Sequence, residues 1–225
     1  MTAEQPTARR TPTPAPAGLR ERKKQRTRDA LLRAALELFT TRGYEETTVD
    51  EIVDAVDVSQ RTFFRYFASK EDAAFAVQQM VERHFVSALQ ERPAHEAPLE
   101  AMRNAVLSAW DTIGEAIMEV VPIELYLRTS QVIESTPALL AVHLRRSIEM
   151  EENIARLIAD REGLDVDADP RPRVAVAAFS GVMRMTGQLW GRGEDPSLEA
   201  IRALTEAYLD HLRPALAADW RGTRA

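Results

Sequence analysis

The side chains best suited to chemistry lie in one short run, Ser59-Gln60-Arg61-Thr62-Phe63-Phe64-Arg65-Tyr66-Phe67-Ala68-Ser69-Lys70. Arginine pairs bidentately with the O6 and N7 of guanine, glutamine does the same with adenine, and an aromatic edge contacts the methyl of thymine. On a helix that turns about 100° per residue, Phe63 and Phe67 share one face and Arg61 and Arg65 lie close to the opposite one. Gln60 and Phe64 fall on the flanks. The pattern is that of a helix with an aromatic anchor and a basic edge, which would offer Gln60, Arg61, Phe64 and Arg65 to a major groove. A plain αα-hairpin with a solvated charged edge is the alternative.

Positioning such an edge requires a second helix packed against the first across a tight turn. Thr48 and Glu51 fit a capping box, in which the hydroxyl caps the Glu51 amide and the carboxylate reaches back. Ile52, Val53 and Val56 then face inward. Asp57 is among the few residue types that tolerate a left-handed backbone at a break between helices, and Ser59 caps the helix that follows. Two helix starts and one turn within so short a stretch predict a helix-turn-helix. Upstream, the spacing predicts a first helix from about Thr27 to Thr41, with Leu31, Ala34, Ala35, Leu38 and Phe39 as its apolar stripe and Gly43 as its stop. Arg28, in its first turn, is placed to point toward a DNA backbone. Downstream, Ser69 and Asp72 fit another cap, and Phe75, Val77, Val81, Phe85 and Leu89 continue as the stripe of a fourth helix, which breaks at Pro93 and joins the two parts of the chain. Helical stretches follow at about 98–119, 122–134, 137–161, 171–190 and 197–212, separated mostly by proline or glycine. No useful period-two alternation or internal repeat appears, so the expected fold is all-α with about nine helices.

Residues 27–72 carry a specific likeness: Thr-Arg-Asp-Ala-Leu-Leu-Arg-Ala-Ala-Leu-Glu-Leu-Phe, then Arg-Gly-Tyr-Glu-Glu-Thr-Thr-Val-Asp-Glu-Ile, then Val-Ser-Gln-Arg-Thr-Phe-Phe-Arg-Tyr-Phe-Ala-Ser-Lys-Glu-Asp. In order and spacing this resembles the TetR family of bacterial transcription regulators. The Arg-Thr-Phe-Phe-Arg-Tyr-Phe run is also similar to a subgroup of mycofactocin-type regulators. The resemblance implies an all-helical homodimer with an N-terminal three-helix DNA-binding domain and a larger C-terminal helical domain that binds a small inducer and dimerises. It further implies that the helix beginning at Ser59 enters the major groove, with Gln60 and Arg61 on bases and Thr62, Phe64, Tyr66 and Lys70 on phosphates or the backbone. The expected DNA-contact set is therefore Arg28, Thr48, Ser59, Gln60, Arg61, Thr62, Phe64, Arg65, Tyr66 and Lys70. Phe64 stands where the family often has tyrosine, and Asp57 where it usually has glycine.

Net charge alone, −6 over 225 residues, does not suggest a partner made of phosphate, but its distribution does. Residues 1–70 hold 13 Lys and Arg against 10 Asp and Glu, leaving 16 against 25 for the remainder. Arg20, Arg22, Lys23, Lys24, Arg26 and Arg28 form the densest cluster, suited to phosphate contacts whose counterion release makes binding fall steeply with salt. A solvated tail is the plainer reading of those before Arg26. Pro6, Pro12, Pro14 and Pro16 among threonine and alanine mark the first nineteen residues as a disordered tail. The expected organisation is a tail at 1–19, a DNA-binding domain at 20–70, an effector-binding and dimerisation domain at 71–218, and a C-terminal tail at 219–225. The absence of cysteine rules out disulfides and thiolate chemistry. No apolar run approaches the roughly 20 residues that span a bilayer, and no signal core precedes the first helix. No membrane association is therefore expected, and the expected compartment is the bacterial cytoplasm.

Within 173–190, Ala175, Ala177, Ala178, Ser180, Gly181 and Gly187 are small enough to let helices approach closely. Leu198, Ile201, Leu204, Tyr208, Leu209 and Leu212 form a matching stripe at 197–212. Two such helices per subunit would make a four-helix dimer interface; an ordinary intramolecular core is the alternative. A dimer would set two reading helices about 34–36 Å apart, the repeat of a palindromic operator in double-stranded DNA. Trp110, Met118, Tyr126, Phe179, Met183 and Trp190 are candidate walls for an apolar effector, and Glu124, Arg128 and His143 are candidate polar contacts. As a set, Trp110, Met118, Tyr126, Arg128, Phe179 and Met183 form the expected effector site. No catalytic residue, metal site or cofactor is expected: His84, His95, His143 and His211 stand alone, and Gly191-Arg192-Gly193 lacks a dinucleotide fingerprint. The expected function is that of a ligand-responsive regulator, and the resemblance implies that it represses. Its rivals are a helical ligand-binding or protein-interaction module without DNA binding and an all-helical enzyme whose acid-base pair only geometry would reveal.

Overall fold

The computed structural model describes residues 18–193, 195 and 197–216. Of the tails expected at 1–19 and 219–225, residues 1–17 and 219–225 lie outside the described residues, whereas Gly18 and Leu19 are described and Leu19 already begins the first helix. The described chain is all-α, with ten helices: α1 Leu19–Arg42, α2 Val49–Asp54, α3 Gln60–Phe64, α4 Lys70–Ala74, α5 Ala76–Gln90, α6 Pro98–Val120, α7 Ile123–Ser135, α8 Pro137–Glu162, α9 Arg171–Arg192 and α10 Leu198–Leu216. The count exceeds the expected nine because the fourth helix is divided at Phe75, whose backbone (φ −94°, ψ 1°) ends α4 and precedes α5. Nothing local in the sequence marks that break. α1 also begins eight residues earlier than its apolar stripe indicates. Residues 20–26 are exposed and offer no stripe, but they are strong helix formers. Lys24 pairs with Glu21 at 3.3 Å, and Gln25 donates to Asp29 at 2.8 Å, contacts that support a helix surface.

The turn region forms as its local chemistry dictates. Thr48 and Glu51 make a complete capping box, with the Thr48 amide donating to Glu51 Oε2 at 2.8 Å and the Glu51 amide donating to Thr48 Oγ1 at 3.3 Å. Asp57 takes the left-handed backbone at φ 56°, the one such residue other than glycine among those described. Ser59 Oγ then caps α3 by accepting from the Thr62 amide.

Two hydrophobic clusters hold the helices together. The first joins Leu31, Leu32, Leu36 and Phe39 of α1 to Ile52, Val53, Phe63 and Phe67, then runs through Ala73, Phe75 and Val77 to Ile113, Ile117, Leu125 and Leu139. It is continuous from the helix-turn-helix into α6, α7 and α8. Arg33 adds a polar tie by donating to the Val120 carbonyl at 2.9 Å. The second cluster gathers Phe85, Leu89, Met102, Val106, Ile158, Val176, Phe179 and Leu209 from α5, α6, α8, α9 and α10. α10 approaches α6 closely at Gly114, where a Cβ would stand 2.4 Å from Leu198 Cδ1.

A left-handed residue bearing a Cβ costs roughly 1–2 kcal/mol. Asp57→Gly is therefore expected to raise the free energy of unfolding in urea by up to about 1 kcal/mol, and Asp57→Val to lower it by about as much. A stability loss in Asp57→Gly would show that the aspartate side chain holds the turn.

Candidate nucleic-acid interface and effector cavity

α3 has five residues and shows solvent one edge only. Phe63 and Phe67 are buried, their ring centroids 5.4 Å apart, while Gln60, Arg61, Phe64 and Arg65 are exposed. Phe64, 52% exposed, lies edge-on to Phe63 with centroids 5.4 Å apart. About half of this large aromatic ring is thus left in water on a capped, anchored helix. Regular helix ends at Phe64; Arg65 and Tyr66 form the turn beyond it, tied by Tyr66 and Phe67 amides donating to the Phe63 carbonyl. The Arg65 guanidinium lies 4.8 Å above the Tyr66 ring and donates to its hydroxyl at 3.2 Å. The Gln60 amide donates to the Asp50 carboxylate, which orients it from α2. No hydrogen bond or ion pair within the described residues holds Arg61.

Other members of the expected contact set have structural partners. Thr48 and Ser59 cap helices. Thr62 and Tyr66 are half-buried. The Arg28 guanidinium sits 5.4 Å over the Phe67 ring and 3.7 Å from Asp29, bracing the far end of the α3 turn. Lys70 departs furthest from expectation. Its ammonium donates to the Tyr44 carbonyl at 2.7 Å and the Thr47 carbonyl at 2.8 Å, and lies 4.1 Å from the Tyr44 ring centroid. It thus ties α4 to the turn between α1 and α2.

Helices α5 to α9, with Ile201 of α10, line a cavity of about 590 Å³. Phe85, Trp110, Tyr126, Phe179, Met183 and Trp190 give it aromatic and flexible walls, and Gln78, Glu82 and His143 form a polar end. Of the expected effector set, Trp110, Tyr126, Phe179 and Met183 meet here. Met118 and Arg128 do not: Met118 is 57% exposed, one helical position past the buried Ile117, and Arg128 and Glu124 face solvent on α7. His143 takes its place at the polar end. Gln78 and Glu82 were not expected. Their signal was a polar pair four residues apart beside the apolar stripe of α5. The Gln78 amide nitrogen contacts Glu82 Oε1 at 3.1 Å and His143 Nδ1 at 3.2 Å. Because that nitrogen only donates, the contact assigns Nδ1 as acceptor and the ring proton to Nε2. Burial pushes the His143 pKa down, favouring this neutral form. Burial likewise raises the Glu82 carboxyl above the usual carboxylate range and the Tyr126 hydroxyl to about 12. The Trp110 indole N–H is buried without a hydrogen-bond partner among the described residues. Trp190 donates to the Ser197 carbonyl at 2.9 Å. Among the described residues no group of three His, Asp or Glu is placed to hold a metal ion, and no helix is long and apolar enough to cross a membrane.

The family model described as bacterial regulatory proteins, tetR family, matches residues 31–77, and that of the MftR C-terminal domain matches residues 96–217. The HTH-type transcriptional regulator TcmR of Streptomyces glaucescens is 48% identical over 209 residues, covering 93% of this chain and 92% of that protein. The regulator MftR of Mycobacterium tuberculosis is 29% identical over 170 residues, covering 75% and 82%. Among solved structures, NalD of Pseudomonas aeruginosa, the secondary repressor of the MexAB-OprM multidrug efflux pump, shares the fold with a TM-score of 0.54 at 18% identity, covering 87% of this chain and 96% of that one.

Glu82 supplies a test of the polar end. A carboxyl whose folded pKa is raised binds its proton more tightly in the native state, so its contribution to stability is present at low pH and is lost as pH rises through the folded pKa. Glu82→Gln keeps the shape and removes the charge. It is expected to unfold at a higher temperature than the parent at pH 7.5, with the difference vanishing toward pH 4. A difference independent of pH would place the Glu82 carboxyl in solvent.

Proposed function

This chain belongs to the TetR family of bacterial regulatory proteins, and we propose that it is a ligand-responsive repressor that occupies a palindromic operator as a dimer until a small, largely apolar effector fills the cavity. It is a DNA-binding transcriptional regulator, as its relatives are. The observation that carries the reading is the exposed edge of Gln60, Arg61, Phe64 and Arg65 on a helix anchored from behind by Phe63 and Phe67. Arg61 and Gln60 supply base-edge donors, and Phe64 an apolar contact for thymine methyl. Residues 20–70 serve as the DNA-reading domain and 71–218 as the effector and dimerisation domain. Repression follows the habit of the family, and the working compartment is the bacterial cytoplasm.

Basic residues along the first turns of α1, Arg20, Lys23, Lys24 and Arg26, are exposed and extend the helix beyond Arg28, where they suit backbone phosphates. For the dimer, α9 leaves Val174, Met185 and Leu189 exposed, with open space above Gly181 and Gly187. Such an apolar face beside small residues fits a second copy of α9 and α10 in a four-helix contact.

Selection of bound duplexes from a random pool tests the reading. A palindrome with its half-sites about one helical turn apart is expected, and no enrichment by a folded dimer would leave a ligand-binding protein without DNA function. On the selected duplex, Arg61→Ala with Arg65→Ala is expected to abolish preference over random DNA while helical content and dimerisation stay unchanged. Lys24→Ala should weaken binding to all sequences and make its salt dependence shallower. Met185→Asp with Leu189→Asp should shift the protein to monomer in light scattering; a persistent dimer would move the interface elsewhere.

A further inference from the structure

The polar end of the cavity lies against the break between α4 and α5, and both contacts come from one face of α8. Phe75, fully buried, is stacked by the His143 ring at 6.3 Å between centroids and 2° between planes. The Arg146 guanidinium, three residues on, lies 4.9 Å from the Phe75 ring centroid and 3.8 Å from the Asp72 carboxylate. Asp72 in turn holds the end of the reader: its Oδ2 accepts from the Ala68 amide at 3.2 Å, its own amide donates to the Ser69 hydroxyl at 3.2 Å, and its Oδ1 accepts from the Gln79 side chain at 3.3 Å. His143 is therefore both a wall of the cavity and a support of the residue at which the connecting helix breaks. The Gln78 amide is its hydrogen-bond partner on the cavity side.

We propose that the cavity reports its occupancy through the Gln78–His143 pair: an uncharged, flat and largely apolar ligand with one hydrogen-bonding head takes over this pair and releases the Phe75 break that holds the reader. This rests on the effector reading above and adds to it the ligand class and the route of the signal. The head must be uncharged because of what faces it. On α5 and α8, Arg83 and Arg146 act on Glu82; Tyr126 and Glu134 face Glu82 and His143 from α7, and Arg184 faces His143 from α9. A cation beside Glu82 would meet Arg83 and Arg146, and an anion beside His143 would meet Glu134, while Arg184, the cation that faces His143, is already paired with Glu151 at 3.7 Å. The aromatic walls suit a flat body, and the unpartnered Trp110 N–H offers a second donor to a ligand acceptor. A ligand can shift the reader only if it binds one arrangement of the Phe75 break better than the other. Competition for the Gln78–His143 hydrogen bond provides that difference.

The probe is N-phenyl-1-naphthylamine, an uncharged flat molecule with a single N–H, followed by quenching of tryptophan fluorescence in the full chain. Its sulfonated relative 8-anilino-1-naphthalenesulfonate is the charged control. Saturating probe is expected to speed amide hydrogen exchange at residues 68–75 at least fivefold, and the sulfonate to bind at least tenfold more weakly. His143→Phe keeps a ring on Phe75 and removes the acceptor. It should bind the probe yet change exchange at 68–75 less than twofold, and Gln78→Leu should do the same if the first variant folds poorly. Variants that respond like the parent, or a parent whose exchange is unmoved by bound probe, would overturn the route while leaving the effector cavity standing. Equal affinity for the sulfonate would overturn the uncharged head. Failure of the parent to bind the probe at all would overturn both this inference and the effector reading.

Discussion

A helix of five residues has no stability of its own, and α3 exists only because its surroundings hold it. Fixing each residue costs about 1–2 kcal/mol in backbone entropy, while burying a phenylalanine returns roughly 1.5–3 kcal/mol. Phe63 and Phe67 therefore offset a large part of the cost, and the Ser59 cap adds about 1 kcal/mol. What remains is supplied by position: Asp57 sets the turn, Arg28 of α1 braces the Phe67 ring, and Lys70 ties α4 to the Tyr44 and Thr47 carbonyls. These residues act behind the edge, and their presence there is what leaves Gln60, Arg61, Phe64 and Arg65 in solvent.

The same constraint explains why the reader and the cavity are one mechanical system. The first hydrophobic cluster does not stop at Lys70 but runs through Phe75 and Val77 into α6, α7 and α8. A change that moves α4 must therefore repack Phe75 between His143 and Arg146 or break the Asp72 contacts. Packed interiors are arranged in discrete states rather than deformed smoothly, so a ligand that favours one state of this region shifts the reader by its differential affinity alone.

Much of this was legible in the sequence because it is local. Thr48 with Glu51, Asp57, Ser59 and the proline and glycine breaks from Pro98 onward each act within four residues, and the helices they delimit lie where the spacing puts them. The family follows from the same run. What the sequence did not disclose depends on partners distant in the chain. The early start of α1 carries no stripe because nothing packs on it. The break at Phe75 lies against His143 and Arg146 of α8, far along the chain. Lys70 reads as a free cation until Tyr44 and Thr47 are seen beneath it. Met118 and Arg128 have the right residue types for a pocket and the wrong helical phase, whereas Gln78 and Glu82 have unremarkable types and the right phase.

The exposed edge on α3 and the polar residues that hold it in place divide most sharply at Lys70. The deciding measurement is the salt dependence of binding to the selected duplex for Lys70→Met, taken with its thermal unfolding. A lower Tm with the salt slope unchanged is expected, because the ammonium is bonded to carbonyls. A slope shallower by about two per dimer, one phosphate for each subunit, with Tm unchanged would contradict it and place Lys70 on the DNA.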